Sequence, residues 1–300
     1  MRTEQIDPRY VDLDAWPTSE IIAAIYEGQL EAAVAVRNAL GAITAAVEEA
    51  VPALERGGRL VYAGAGTSGR IGVQDGSELP PTFDWPPDRL VFAMAGGMEA
   101  LIRSSEGAED DEQAGAQIMV DAKVGSNDVV IGIAASGTTP FTLACMREAK
   151  QRGALTIGIA NNRGTPLLEE ADHPIFLDTG PEPIAGSTRM KAGTAQKIAL
   201  NLLSTLLMIS LGRVYDGLMV DVQAVNEKLV RRSEDMLVRL TDCGRPAARD
   251  ALRRAQGSVK LAVMLLNGCD VEKGVRLIDR AGGRLRSALA AIPNRDSHAA

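Results

Sequence analysis

After Gly57-Gly58 the chain adopts a rhythm that few architectures permit. Short, continuous apolar runs near 59–63, 89–94, 128–133, 154–160 and 174–177 alternate with longer amphipathic segments. Unbroken apolar runs are what strands covered on both faces require, and the intervening segments are long enough to be crossover helices. The pattern predicts an α/β fold: a five-stranded parallel sheet, doubly wound, with helices near 68–77, 107–122, 138–152 and 165–170. From Thr18 to about Arg56 the reading is helical, with Thr18 and Ser19 as capping hydroxyls and Ile21, Ile22, Ile25, Leu30, Val34, Val36, Leu40, Ile43 and Val47 at helical spacing. Long helices are expected at 188–211 and 222–240. Beyond Cys243-Gly244, glycines at 257, 268 and 282–283 break the chain into short helices. The expected organisation is an N-terminal helical lead-in over 1–56, a sheet domain with its long C-terminal helices over 57–240, and a small helical domain over 241–300.

Two strand ends carry similar loops. The first apolar run leads into Gly64-Ala65-Gly66-Thr67-Ser68-Gly69-Arg70, and the third into Ala134-Ala135-Ser136-Gly137-Thr138-Thr139-Pro140. Gly64-x-Gly66-x-x-Gly69 fits the dinucleotide fingerprint formally, but the second strand ends in Ala95-Gly96-Gly97, where a ribose-binding acid belongs. The Gly-Lys-Ser/Thr ending of a nucleotide P-loop is also missing. What remains is a hydroxyl-bearing turn at a helix N-terminus, found twice. In strand order 2-1-3-4-5 the two turns flank the crevice where strand order reverses, so both face one ligand. Free N–H groups, positive helix ends and hydroxyls suit a phosphate monoester. A third segment, Gly186-Ser187-Thr188-Arg189-Met190-Lys191, places two cations in the first turn of a helix, an unfavourable position unless an anion compensates. The alternatives are an anionic ligand, a pair of solvated cations, or ion pairs with nearby Glu182.

Charge and composition narrow the partners. Lys+Arg number 32 against 39 Asp+Glu, a net charge of −7, and aromatic residues make up 3%. An acidic chain with little material for base stacking is a poor nucleic-acid binder. Cys145, Cys243 and Cys269 are odd in number and widely spaced, which suits reduced thiols and implies no disulfide framework. The start, MRTEQIDPRY, is too polar for a secretory signal, and the apolar stretch between Lys197 and Arg213 is shorter than the ~20 residues of a membrane span. The expectation is a cytoplasmic protein without a membrane partner.

Taken together, GAGTSGR, AASGTTP and GSTRMKAGTAQK resemble the sugar isomerase (SIS) superfamily, whose domains bind phosphosugars at the carboxyl ends of a five-stranded parallel sheet of flavodoxin-like order. Ser77-Glu78-Leu79-Pro80-Pro81-Thr82, Glu106-Gly107-Ala108-Glu109-Asp110 and Leu218-Met219-Val220-Asp221-Val222 look specifically like the N-acetylmuramic acid 6-phosphate etherases. The family pattern has Ala-Ser before its glutamate and Cys after it, where this chain has Gly76-Ser77 and Leu79. The resemblance implies a lyase that cleaves the D-lactyl ether of N-acetylmuramic acid 6-phosphate by elimination and then water addition, with Glu78 protonating the departing lactate and Glu109 acting as the C2 base. It places the phosphosugar on Gly66, Thr67, Ser68, Arg70, Ser136, Gly137, Thr138, Thr139, Ser187, Arg189 and Lys191. A homodimer is implied too, with the apolar helix Ile198–Leu211 as the candidate for much of its interface; the alternative is a monomer that buries this helix in its own core. The only two histidines are His173 and His298, and no His-x-x-x-His pair, Cys-x-x-Cys cluster or calcium-loop spacing occurs. The expectation is therefore an enzyme with no metal and no cofactor. The rival readings are an aldose–ketose isomerase and a phosphosugar-sensing regulator without turnover.

Overall fold

The computed structural model describes residues 1–103, 105–222 and 227–292. Its elements run α1 (Thr18–Asn38), α2 (Leu40–Glu55), β1 (Leu60–Gly64), α3 (Gly66–Ser77), α4 (Leu79–Phe83), β2 (Leu90–Met94), α5 (Glu112–Asp121), β3 (Val129–Ile133), α6 (Pro140–Gln151), β4 (Leu155–Ala160), α7 (Pro166–Glu170) and β5 (His173–Phe176). The long α8 (Lys191–Ser210), a hairpin of β6 (Val214–Tyr215) and β7 (Leu218–Met219), and α9 (Glu227–Thr241), α10 (Arg245–Arg254), α11 (Val259–Leu266), α12 (Val271–Arg280) and α13 (Leu285–Ala290) complete the described chain. It divides into two compact units: Met1–Ser77 with Pro87–Thr205, and Glu78–Pro86 with Leu206–Ala300.

The first unit holds the sheet, in the order β2-β1-β3-β4-β5 with every pair parallel. β1 and β3 are buried along their whole length, which is why they read as unbroken apolar runs. Ile131, Ile133, Ile157 and Ile159 have no exposure, and each contributes ~1.5–3 kcal/mol on burial. The glycine fingerprint serves helix packing: a Cβ on Gly64 would lie 2.9 Å from the Gly69 backbone, so α3 can start directly against β1 only without side chains there.

Several expectations shift in detail. Residues 18–56 form two helices, bent by 52° at Ala39. The residue capping α1 is Pro17, with no side-chain cap, so Thr18 and Ser19 lie inside the first turn and do not cap it. The segment predicted as one helix from 107 is a single 3-10 turn, Ala108–Asp110, followed by α5 from Glu112. The helix predicted to open near Val222 is described from Glu227; its predicted start at 223–226, and the tail 293–300, lie outside the described residues. Helix α8 is long and apolar enough to cross a membrane by composition. Yet Ala195, Ala199, Leu200, Leu203, Leu207 and Met208 have no exposure, which marks it as a core helix. Only Leu202 and Ile209 among its large apolar residues are well exposed, so most of the predicted interface helix is interior.

The second unit is a set of short helices around Leu237, Ala248, Val259, Ala262, Val263, Met264 and Ala288. It also contains Glu78–Pro86, a segment that sequence order alone assigns to the sheet domain.

Candidate active site

At the carboxyl end of β1 the chain turns at Gly66, where φ is +53°, and α3 begins at once, so Thr67 and Ser68 occupy its first turn. At the end of β3, Gly137 takes φ +72° in an equally tight turn. There the Thr138 amide donates to Ser136 Oγ at 3.2 Å, and the Ser136 and Thr139 hydroxyls lie 3.3 Å apart. Because β1 and β3 are neighbours, the two turns meet. Together they line a cavity of about 390 Å³ bounded by Thr67, Ser68, Ser136, Thr138, Thr139 and Thr188. This is the crevice at the reversal of strand order that the topology predicts.

Glu109 reaches the same cavity. An acidic run before a helix is ordinarily explained by the helix dipole. Here Asp111 already caps α5, accepting from the Ala114 amide at 2.8 Å, and Glu112 fills the first turn. Glu109 belongs instead to the preceding 3-10 turn, set off by Gly107 at φ +72°, and is exposed at the cavity wall. A second cavity of about 270 Å³ adjoins the first and shares Ala65, Gly66 and Glu109 with it. Arg70 lines this second lobe, its Nε donating to the Ala100 and Leu101 carbonyls at 3.0 and 3.2 Å.

Of the residues predicted to hold the phosphosugar, Gly66, Thr67, Ser68, Arg70, Ser136, Thr138 and Thr139 line these two lobes. Gly137 shapes the turn without lining either. Ser187, Arg189 and Lys191 line neither, and the physical reason is plain for Lys191. Its side chain has no exposure and its Nζ meets Glu31 Oε2 on α1 at 2.8 Å. Burial pushes the Glu31 carboxyl up, but hydrogen bonds from Arg9 and Lys191 outweigh it and hold the pKa below the usual value. The N-terminus of α8 is also occupied from within. Glu182, fully buried, accepts from the Lys191 and Ala192 amides, each at 2.9 Å. Burial raises its pKa despite those two donors. The α8 amides are therefore met by Glu182, whereas the Lys191 side chain pairs with Glu31 and not with Glu182 as the sequence suggested. Arg189 precedes α8 and is exposed.

Glu78 is the exposed residue capping α4, in the second unit, and lines neither lobe. Sequence reasoning did not single out Thr188 or Glu4 as lining residues. Thr188 sat inside a quoted motif, whereas Glu4 carries no local signal. Among the described residues no group of three or more His, Cys, Asp or Glu is placed to hold a metal ion.

This doubly wound sheet, with a hydroxyl-lined cavity at its order reversal, matches the SIS-domain class. Two family models agree: the SIS domain over residues 105–206 and the N-terminal SIS domain of glucokinase regulatory protein over 42–150. A phosphoheptose isomerase from Francisella tularensis shares the fold, with a TM-score of 0.51 and 21% identity over 65% of this chain and all of that one. More specific is the likeness to N-acetylmuramic acid 6-phosphate etherases. That of Deinococcus radiodurans is 52% identical over 96% of this chain and 95% of its own length. That of Halalkalibacterium halodurans is 44% identical over 96% and 97%. The chain belongs to the N-acetylmuramic acid 6-phosphate etherase family.

Proposed function

We propose that this protein cleaves the D-lactyl ether of N-acetylmuramic acid 6-phosphate, yielding N-acetylglucosamine 6-phosphate and D-lactate in the breakdown of cell-wall sugars. The observation that carries the reading is Glu109 at the wall of a cavity also lined by Ser68, Ser136, Thr138 and Thr139, in a member of the etherase family. In this reading the phosphate rests on the two turns, where N–H groups at helix starts and hydroxyls replace its water shell. That anchorage leaves the sugar ring toward Glu109 and the lobe holding Arg70.

The substrate reacts as its open-chain aldehyde. Glu109 takes the C2 proton, made acidic by the neighbouring carbonyl, and the C3–O bond breaks as Glu78 gives a proton to the lactate oxygen, because an alkoxide leaves poorly without one. Water then adds at C3 of the unsaturated sugar, returning a proton to Glu78, while Glu109 gives a proton back to C2. The protein works in the cytoplasm as a homodimer. Exposed Ile22, Tyr26, Leu30 and Val34, four residues apart along α1, form an apolar face suited to a second copy.

The test is to incubate the protein with N-acetylmuramic acid 6-phosphate and follow D-lactate together with solvent deuterium at C2. Glu109→Gln should abolish both signals. Glu78→Gln should lower lactate release at least a hundredfold while exchange at C2 persists. Ser68→Ala and Ser136→Ala should weaken binding of the phosphorylated sugar far more than its unphosphorylated counterpart. Isomerisation without lactate would favour an aldose–ketose isomerase, and binding without turnover a sugar-phosphate sensor.

A further inference from the structure

The motif Leu218-Met219-Val220-Asp221-Val222 and the C-terminal helices have no part in the chemistry above, yet Asp221 and Lys260 connect through Arg213 to the segment that carries Glu78. Glu78–Pro86 groups with the second unit, and what ties it there is a line of charges. Arg213, just beyond α8, donates from Nη1 to the Phe83 and Asp84 carbonyls at 2.7 and 2.8 Å. These lie at the C-terminal end of α4, where helix carbonyls lack intrahelical partners and a cation is favoured by the dipole. The guanidinium stands 5.1 Å over the ring of Trp85, which is 1% exposed. Behind it, Asp221 Oδ2 lies 3.8 Å from Arg213 Nη1 and accepts from Lys260 Nζ at 2.6 Å. Lys260 itself is buried in α11.

The geometry points to a positioning role: Arg213, held by Asp221 and Lys260, fixes the C-terminal end of α4 and thereby the place of Glu78 at its N-terminal end. The lever is short and stiff. Five helical residues span ~7.5 Å, and Pro80 and Pro81 lock two backbone torsions next to Glu78. The left-handed cap at Asp84, φ +52°, turns the chain so that both carbonyls face one guanidinium. Within the second unit, Arg213 thus sets the backbone that carries Glu78. This inference rests on the reading of Glu78 as proton donor.

Three variants test it: Arg213→Lys, Asp221→Asn and, as reference, Glu78→Gln. Three readouts apply to each, namely lactate release, solvent-deuterium exchange at C2 of N-acetylglucosamine 6-phosphate, and amide exchange over residues 79–85. The Thr82, Asp84 and Trp85 amides are bonded to Glu78, Pro80 and Leu79 carbonyls and report the turn directly. In Arg213→Lys and Asp221→Asn, kcat for lactate should fall at least tenfold with KM within twofold. C2 exchange should stay near wild type, and exchange at Asp84 and Trp85 should speed up at least tenfold. Wild-type lactate release in both variants, or unchanged protection at Asp84 and Trp85, overturns the positioning role. So does a parallel loss of lactate release and C2 exchange, which is what general unfolding produces. Wild-type lactate release in Glu78→Gln instead overturns the reading of Glu78 as the acid, and only that variant reveals it.

Discussion

Lys191 offers the sharpest prediction, because two accounts of it diverge in what they measure. A lysine at a helix start in a chain of this family suggests a phosphate ligand, whereas the structure gives its buried ammonium an ion pair with Glu31. At 2.8 Å the gross attraction is about 6 kcal/mol at an effective dielectric of 20. Glu31 is 40% exposed, so solvent screening removes much of that. Glu31→Gln nonetheless strands a fully buried ammonium, and the net cost should be about 2 kcal/mol. At roughly 2–4 °C per kcal/mol for a unit of this size, the melting temperature should drop by ~4–8 °C. Adding Lys191→Met should restore most of it, since methionine keeps the apolar stem and removes the stranded charge. The assay is calorimetry of the three variants beside steady-state kinetics, with KM for the phosphosugar expected within twofold of wild type throughout. A tenfold rise in KM for Lys191→Met at unchanged stability would refute the structural role. So would a double variant no more stable than Glu31→Gln.

Two further outcomes follow from the same kind of reasoning. Asp128 is 8% exposed at its side chain and bridges Arg59 at 2.7 Å; burial pushes its carboxyl up, but hydrogen bonds from Arg59 and Gly125 outweigh this and hold it below 3.8. A carboxyl lowered in the folded state adds stability that is present above its unfolded value and lost as pH falls through the folded one. The stability gap between wild type and Asp128→Asn should therefore be constant from pH 5 to 7 and close below about 3.8, as read from melting temperature against pH. On α1, the double change Tyr26→Asp with Leu30→Glu should shift the sedimenting species from dimer to monomer. A monomeric wild type would refute the dimer outright.

The strands were legible because a sheet covered on both faces demands uninterrupted apolar runs, and those runs coincide with β1 to β5 to within one residue at every end. The two turns were legible for a related reason: hydroxyls and glycines crowd only where a helix starts against a strand. What the chain does not reveal locally is which partner satisfies a charge. Lys191 finds Glu31 160 positions away, and Glu182 sits nine positions before the amide it caps, so the compensating anion looked as if it could be a ligand. The same holds for Glu78–Pro86. Two prolines announce the end of α3, but nothing nearby says that Glu78–Pro86 will group with the chain beyond residue 206.

That late grouping bears on how the chain is made. Residue 86 leaves the ribosome 120 positions before residue 206, a wait of roughly 6–24 s at 5–20 residues per second. Through that interval the segment with Phe83 and Trp85 lacks the rest of its unit, including the Arg213 guanidinium over Trp85, while the sheet strands up to β5 are already made. A message cut short near the end of α8 would release a protein with a finished front half and an adhesive loop. Such fragments should be found with chaperones or in aggregates, even where their sheet has formed.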